Sequence, residues 1–260
     1  MNTGFFAQPS PPYPRTNYSF AYQWIEEVGS LTALLAHVEA LRAADPAHRY
    51  LCTLDDIQQG SYTSGHASQD DRLYLASPPD MDWDDPVQEA AWDLQALQHR
   101  ARQLRQGPQR WADVCGSLAV SASDLDALLA ANRAPDLLLD DVVYIQRLPL
   151  AQGDPLIAGQ PNGYFSADWD SFQNHAIHQH LAEQHGYQLL AMGAAWMALA
   201  RVQPPGAVQA QALVEDLRAL YATGDEALLA HAGWQALPAL LQTQRILVMG
   251  YTEDMADRWE

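Results

Sequence analysis

Four histidines fall between positions 175 and 185: His175, His178, His180 and His185. No other stretch of the chain concentrates metal-capable side chains in this way. Neutral imidazole is a ligand for zinc, copper and iron, and a general base near neutral pH. If residues 171–185 form a helix, His175 and His178 are three apart and share a face. His185, seven residues beyond His178, returns to that face two turns later. His180 points away, about 200° round the axis from His178 at about 100° per residue. Asp168 and Asp170 immediately precede the helix and could add a carboxylate to His175, His178 and His185. Two imidazoles and a carboxylate suit a divalent metal such as zinc or iron(II). There is no HExxH pattern. The competing reading is a polar helix face whose histidines lie near the C-terminal end, where the helix dipole favours imidazolium.

Other chemistries lack their residues. All 14 basic residues are arginine, and the chain has no lysine. That removes Schiff-base, phosphate-loop and general-base lysines. Ser64 sits in Tyr-Thr-Ser-Gly-His without the elbow spacing of a hydrolase nucleophile, and no dinucleotide-binding glycine fingerprint occurs. Asp80, Asp82 and Asp84 have the first three spacings of a calcium loop. Its sixth position is Asp85 instead of glycine and its twelfth is Ala91 instead of glutamate, so the segment reads as the start of a helix. Asp85 would cap that helix and Pro86 open it.

The elements that must position these residues follow from periodicity and capping. Tyr18, Phe20, Tyr22 and Trp24 alternate with smaller or polar residues, giving a strand over 18–26 with an aromatic face covered by a helix. Leucines and Val38 recur at helical spacing over 30–44, after a capping Ser30. Strands are expected at 49–54, 72–76 and 114–120, and a helix at 86–106. The Gly, Ser and Gln-rich stretch 55–70 reads as a polar loop. Ser123 and Asp126 form a capping-box pattern opening a short helix. In the second half, strand 142–150, helix 171–185, strands 187–192 and 195–201, helix 207–221 and strand 245–250 repeat the same β-α-β-β-α-β order. Gly186 is placed to end helix 171–185. The expected fold is therefore α+β: a mixed, mostly antiparallel sheet with packed helices, with two ferredoxin-like halves as its finer form. The divisions are a Pro-rich extended arm at 1–17, halves at 18–135 and 136–252, and an acidic tail at 253–260.

Charge and composition bound the function. With 48% hydrophobic residues, 260 positions suffice for a sizeable core. A net charge of −18 opposes nucleic-acid binding, which depends on Lys and Arg neutralising phosphates. No apolar run approaches the roughly 20 residues needed to span a bilayer, and the first residues lack the basic and apolar regions of a secretory signal. Cys52 and Cys115 lie in apolar, strand-like runs as buried thiols, which suggests a reducing compartment. The leading expectation is a cytoplasmic bacterial protein that binds a basic protein partner through an acidic surface, in the manner of an immunity-type inhibitor. Acid clusters at 80–85, 136–141, 168–170 and 253–260 motivate it. The alternative is a metal-dependent enzyme or metal-binding protein using His175, His178 and His185.

Overall fold

A computed structural model of the chain describes residues 1–15 and 18–259. Thr16 and Asn17 of the Pro-rich arm and Glu260 of the acidic tail lie outside the described residues. The strands are β1 (Asn2–Phe5), β2 (Ala21–Glu26), β3 (Arg49–Thr53), β4 (Val142–Leu148), β5 (Gln188–Met192), β6 (Trp196–Ala200) and β7 (Ile246–Gly250). The helices are α1 (Leu31–Ala44), α2 (Ile57–Ala67), α3 (Pro86–Gln106), α4 (Trp111–Val114), α5 (Ala122–Arg133), α6 (Ser171–His185), α7 (Ala207–Ala222), α8 (Glu226–Leu229) and α9 (Gly233–Leu241).

The strands form one mixed sheet in the order β1-β2-β4-β3-β5-β6-β7. Every pairing is antiparallel except β3 with β5, which run parallel through Cys52–Ala191 and Thr53–Met192. The α+β expectation is met. The second half keeps its β-α-β-β-α-β order, yet its strands do not pair as a separate unit, because β3 from the first half sits between β4 and β5. β6 and β7 are buried at every position, as strands covered on both faces are.

Local signals placed most elements. Ser30 caps α1 by accepting from Ala33 N, and Asp85 caps α3 with Pro86 in its first turn. Four expectations fail for physical reasons. Residues 57–67 are helical, not a loop. Asp56 caps them, and a buried face of Gly60, Ser61, Thr63, Ser64 and Ala67 is too small and polar to show as an apolar stripe. Residues 72–76 form no strand: Arg72 turns to Asp70 and Asp170, and only Leu73 of the 71–74 turn is buried. Within 114–120 the backbone is the end of α4 and a loop, so Cys115 is not in a strand. The box that opens α5 is Ser121 with Asp124, two residues before the expected pair.

The expected aromatic face of β2 is split: Phe20 and Tyr22 pack against the main core, while Tyr18 and Trp24 are covered by the arm. β1 pairs with β2, and Phe6, Tyr18, Ala21, Trp24 and Tyr144 form a small separate core. Tyr13 packs edge-on to Trp24 with ring centres 5.3 Å apart. Gly4 permits this, because a Cβ there would lie 2.1 Å from the Trp24 ring.

The sheet is pinned where β5 turns into β6. The Gly193 carbonyl accepts from Asn162 Nδ2 and from the Tyr251 hydroxyl, each at 2.7 Å. The Asp55 carboxylate accepts from Ala195 N at 3.0 Å and Trp196 N at 3.2 Å. A Cβ on residue 193 would stand 1.9 Å from Asp55 Oδ1 and 2.5 Å from Asp55 N. Gly193→Ala should therefore cost about 3 kcal/mol or more, since neither backbone can retreat without losing buried hydrogen bonds. Urea unfolding checks this, and a loss below about 1 kcal/mol would contradict the clamp.

Burial pushes the Asp55 carboxyl up to about 7, although backbone donors oppose the shift. The folded state then holds a proton that the unfolded state releases near the ordinary carboxylate value of about 4. Stability should fall as pH rises through this window and level off above it. The half-buried His37 and His99, and more strongly His175 and His178, are shifted downward by burial and act in the opposite sense below their ordinary value. The comparison is therefore wild type against Asp55→Asn, by urea unfolding at matched pH values. The wild type should lose stability relative to the variant as pH rises from about 5 to about 8, and parallel pH curves would contradict the assignment.

Candidate metal centre

Capping fixes α6 at both ends. Asp170 accepts from Phe172 N and Gln173 N, and Gln173 Oε1 accepts from Asp170 N in return. Gly186 ends the helix with φ of 73°, a conformation that suits glycine. Phe172, Ala176, Ile177 and Leu181 bury the inward face.

The histidines divide into two groups, differently from the sequence expectation. His180 Nε2 lies 2.6 Å from Asp216 Oδ2, and His185 Nε2 lies 2.7 Å from the same oxygen. Asp216 stands on α7, beside the buried stripe of Leu213, Val214, Leu217 and Leu220. The rings of His180 and His185 are 6.1 Å apart at 60° to each other. His180 also stacks on Trp111 of α4 at 3.8 Å and 5°. The segment carrying Trp111 is tied to α7 where Gly116 N donates to the Leu220 carbonyl at 2.9 Å. Three helices thus converge on one carboxylate. The side chain of His185 is 7% exposed, that of His180 20% and that of Asp216 30%.

Burial alone would raise the Asp216 carboxyl. The hydrogen bonds and charges of His180 and His185 outweigh burial and hold it below its ordinary range. The Cys115 thiol, half-buried nearby, is raised by burial and by the charge of Asp216. The ligand atoms of His180, His185 and Asp216 all lie within 4.8 Å of one another. Around a tetrahedral zinc with bonds of about 2.0–2.1 Å, neighbouring ligand atoms stand about 3.4 Å apart. His180 Nε2 and His185 Nε2 now stand 2.6 and 2.7 Å from the Asp216 oxygen, so admitting an ion requires each imidazole to withdraw from it by about 0.7–0.8 Å and to lose its Nε2 proton.

The other sequence candidates stand elsewhere. His175 and His178 line a cleft of about 530 Å³ with Arg49, Arg105 and Asp154. Burial pushes their imidazoles down to about 4 and about 3, His175 adding to the shift of His178. His178 Nε2 lies 3.1 Å from the Met197 sulfur. Asp170 caps α6 and pairs with Arg72 at 2.8 Å. Asp168 accepts from Phe165 N at 3.1 Å. Of the expected set, the structure brings only His185 to the convergent site, and its partners are His180 and Asp216. Helical spacing sets His180 apart from the expected set, because it points about 200° away from His178 on an ideal helix. Near the helix end both side chains nevertheless reach the same oxygen. Asp216, 31 residues after His185, gives no local signal, since an acid on the polar side of an amphipathic helix is unremarkable in sequence.

In comparisons with known proteins, no family model, curated protein or solved structure matches the chain.

The shared carboxylate oxygen makes His185 and Asp216 energetically dependent. A double-mutant cycle of His185→Ala and Asp216→Ala in the presence of a chelator should return a coupling of about 1–2 kcal/mol, reduced from the buried value by the exposure of Asp216. A coupling near zero would show that the contact contributes no stability.

Proposed function

We propose that the protein binds a divalent transition metal ion of the zinc class through His180 Nε2, His185 Nε2 and an oxygen of Asp216. The observation that supports this reading most is the meeting of two imidazoles on one carboxylate oxygen, from positions on α6 and α7. Nitrogen donors with one carboxylate oxygen suit zinc and the neighbouring cobalt and nickel ions better than calcium or magnesium, which prefer all-oxygen shells. The stacked indole of Trp111 supplies the outer support that orients a ligating ring. Such an ion would join α6 to α7 and replace the hydrogen bonds now made by Asp216. Three protein ligands leave one further position, beside the half-buried Cys115.

Metal analysis of untagged protein, after dialysis with zinc, tests the proposal. About one ion per chain is expected, with a rise in melting temperature on zinc addition. His185→Ala and Asp216→Asn should remove the ion, and a His175→Ala/His178→Ala double variant should retain it. Retention by the first two variants with loss in the third would return the site to the other face of α6 and overturn the assignment.

A further inference from the structure

Two of the sequence's acid clusters contain carboxylates that hold backbone. Asp136 accepts from Leu31 N at 2.7 Å and Asp140 from Ile57 N at 2.9 Å. Asp168 and Asp170 organise the approach to α6. The C-terminal cluster is fastened by its backbone, where Glu253 N donates to the Ala167 carbonyl. The cluster before α3 combines exposure with an aromatic cleft. Asp80, Asp82 and Asp84 are exposed, and Trp83 among them is 56% exposed. The first six residues of α3 are exposed throughout, Val87 at 75%. Beneath this segment lies a cleft of about 600 Å³, lined by Trp83, Trp92, Phe20, Pro161, Glu89 and Asp93 among others. Arg100 in its wall is committed, donating to the Ala158 carbonyl at 2.9 Å. Arg15, which also lines it, donates to the Phe6 carbonyl.

From position 73 to 98 the chain carries no Arg or Lys but six acids: Asp80, Asp82, Asp84, Asp85, Glu89 and Asp93. The exposed Trp83 indole, set between Asp82 and Asp84 at the rim of a cleft whose own acids, Glu89 and Asp93, are accompanied by Arg15 and Arg100, offers a cationic side chain a π face with opposite charge beside it. The two indoles in its wall, Trp83 and Trp92, give the cleft a preference that diffuse charge alone would not.

We propose that this cleft and its acidic rim are the docking surface for an arginine- or lysine-rich segment of a protein partner, with Trp83 and Trp92 receiving a cationic side chain and the exposed Asp82, Asp84 and Glu89 balancing its charge. The choice of occupant rests on charge complementarity. The surface is separate from the metal centre and does not depend on it.

The test uses the full chain and a fluorescein-labelled hexa-arginine peptide, with binding read by anisotropy at about 20 mM and about 300 mM salt. Trp83→Ala should weaken binding at low salt by about tenfold. Asp82→Asn/Asp84→Asn should weaken it more than Asp71→Asn/Asp126→Asn, which removes the same charge from exposed positions outside the cleft. High salt should weaken all forms while preserving their order. Thermal melts confirm that the variants fold, because all five positions are exposed. Equal binding by the two charge-removing variants, with Trp83→Ala unchanged, would reduce the effect to net charge and overturn the proposal. So would an absence of binding at low salt, or concentration-dependent self-association abolished by Trp83→Ala, which would make the face a contact between two copies of this chain.

Discussion

The Gly193 turn is the constraint on which the rest of the structure depends. Its carbonyl accepts two buried side-chain hydrogen bonds, and the following amides close on the Asp55 carboxylate. Asp55 lies just past the end of β3, Gly193 just past the end of β5, and these two strands make the only parallel pairing in the sheet of the described residues. A parallel pair cannot be closed by a tight hairpin, so its register must be set from outside. Asp55 sets it from the β3 side. Asn162 and Gln160 set it from the 156–163 segment, with Gln160 donating to the Met192 carbonyl at 2.7 Å. Tyr251 does so from beyond β7. α2 can then approach closely, because Gly60 lies against the Gly193 backbone.

The same fastening positions the chemistry. Ser171 at the start of α6 donates to the Asn162 carbonyl at 2.9 Å, so the helix begins at a fixed point relative to the sheet. Fourteen residues later that placement brings His185 to α7. α7 is anchored in turn through Tyr221, whose hydroxyl donates to the Gly250 carbonyl at 2.7 Å. The His180–Asp216–His185 contact thus joins two helices that are each tied independently to the sheet. In the proposed site, preorganisation of this kind would let the two imidazoles open around an ion, where an unrestrained site must first be assembled.

The legible part of the fold was local. Caps at Ser30 and Asp85, the Gly186 terminator and the apolar runs of β4 to β7 marked their elements directly. α2 was not legible, because helices that pack through glycine, serine and threonine bury too little apolar surface to show a periodic stripe. The insertion of β3 between β4 and β5 was hidden because element order does not specify strand order in a sheet. For the site, the histidine cluster was visible but its grouping was not. Helical angles separate His180 from His185, and the residue that reunites them belongs to another helix. Sequence spacing finds ligands that share one element and misses a ligand brought in by tertiary packing.

X-ray absorption at the zinc edge, on protein loaded with one equivalent of zinc, addresses the metal centre most directly. The account predicts a first shell of nitrogen and oxygen at about 2.0–2.1 Å with the outer-shell signature of two imidazoles, and a sulfur at about 2.3 Å only if Cys115 takes the remaining position. A shell of oxygen alone, or one whose imidazole signature survives His180→Ala/His185→Ala unchanged, would contradict it.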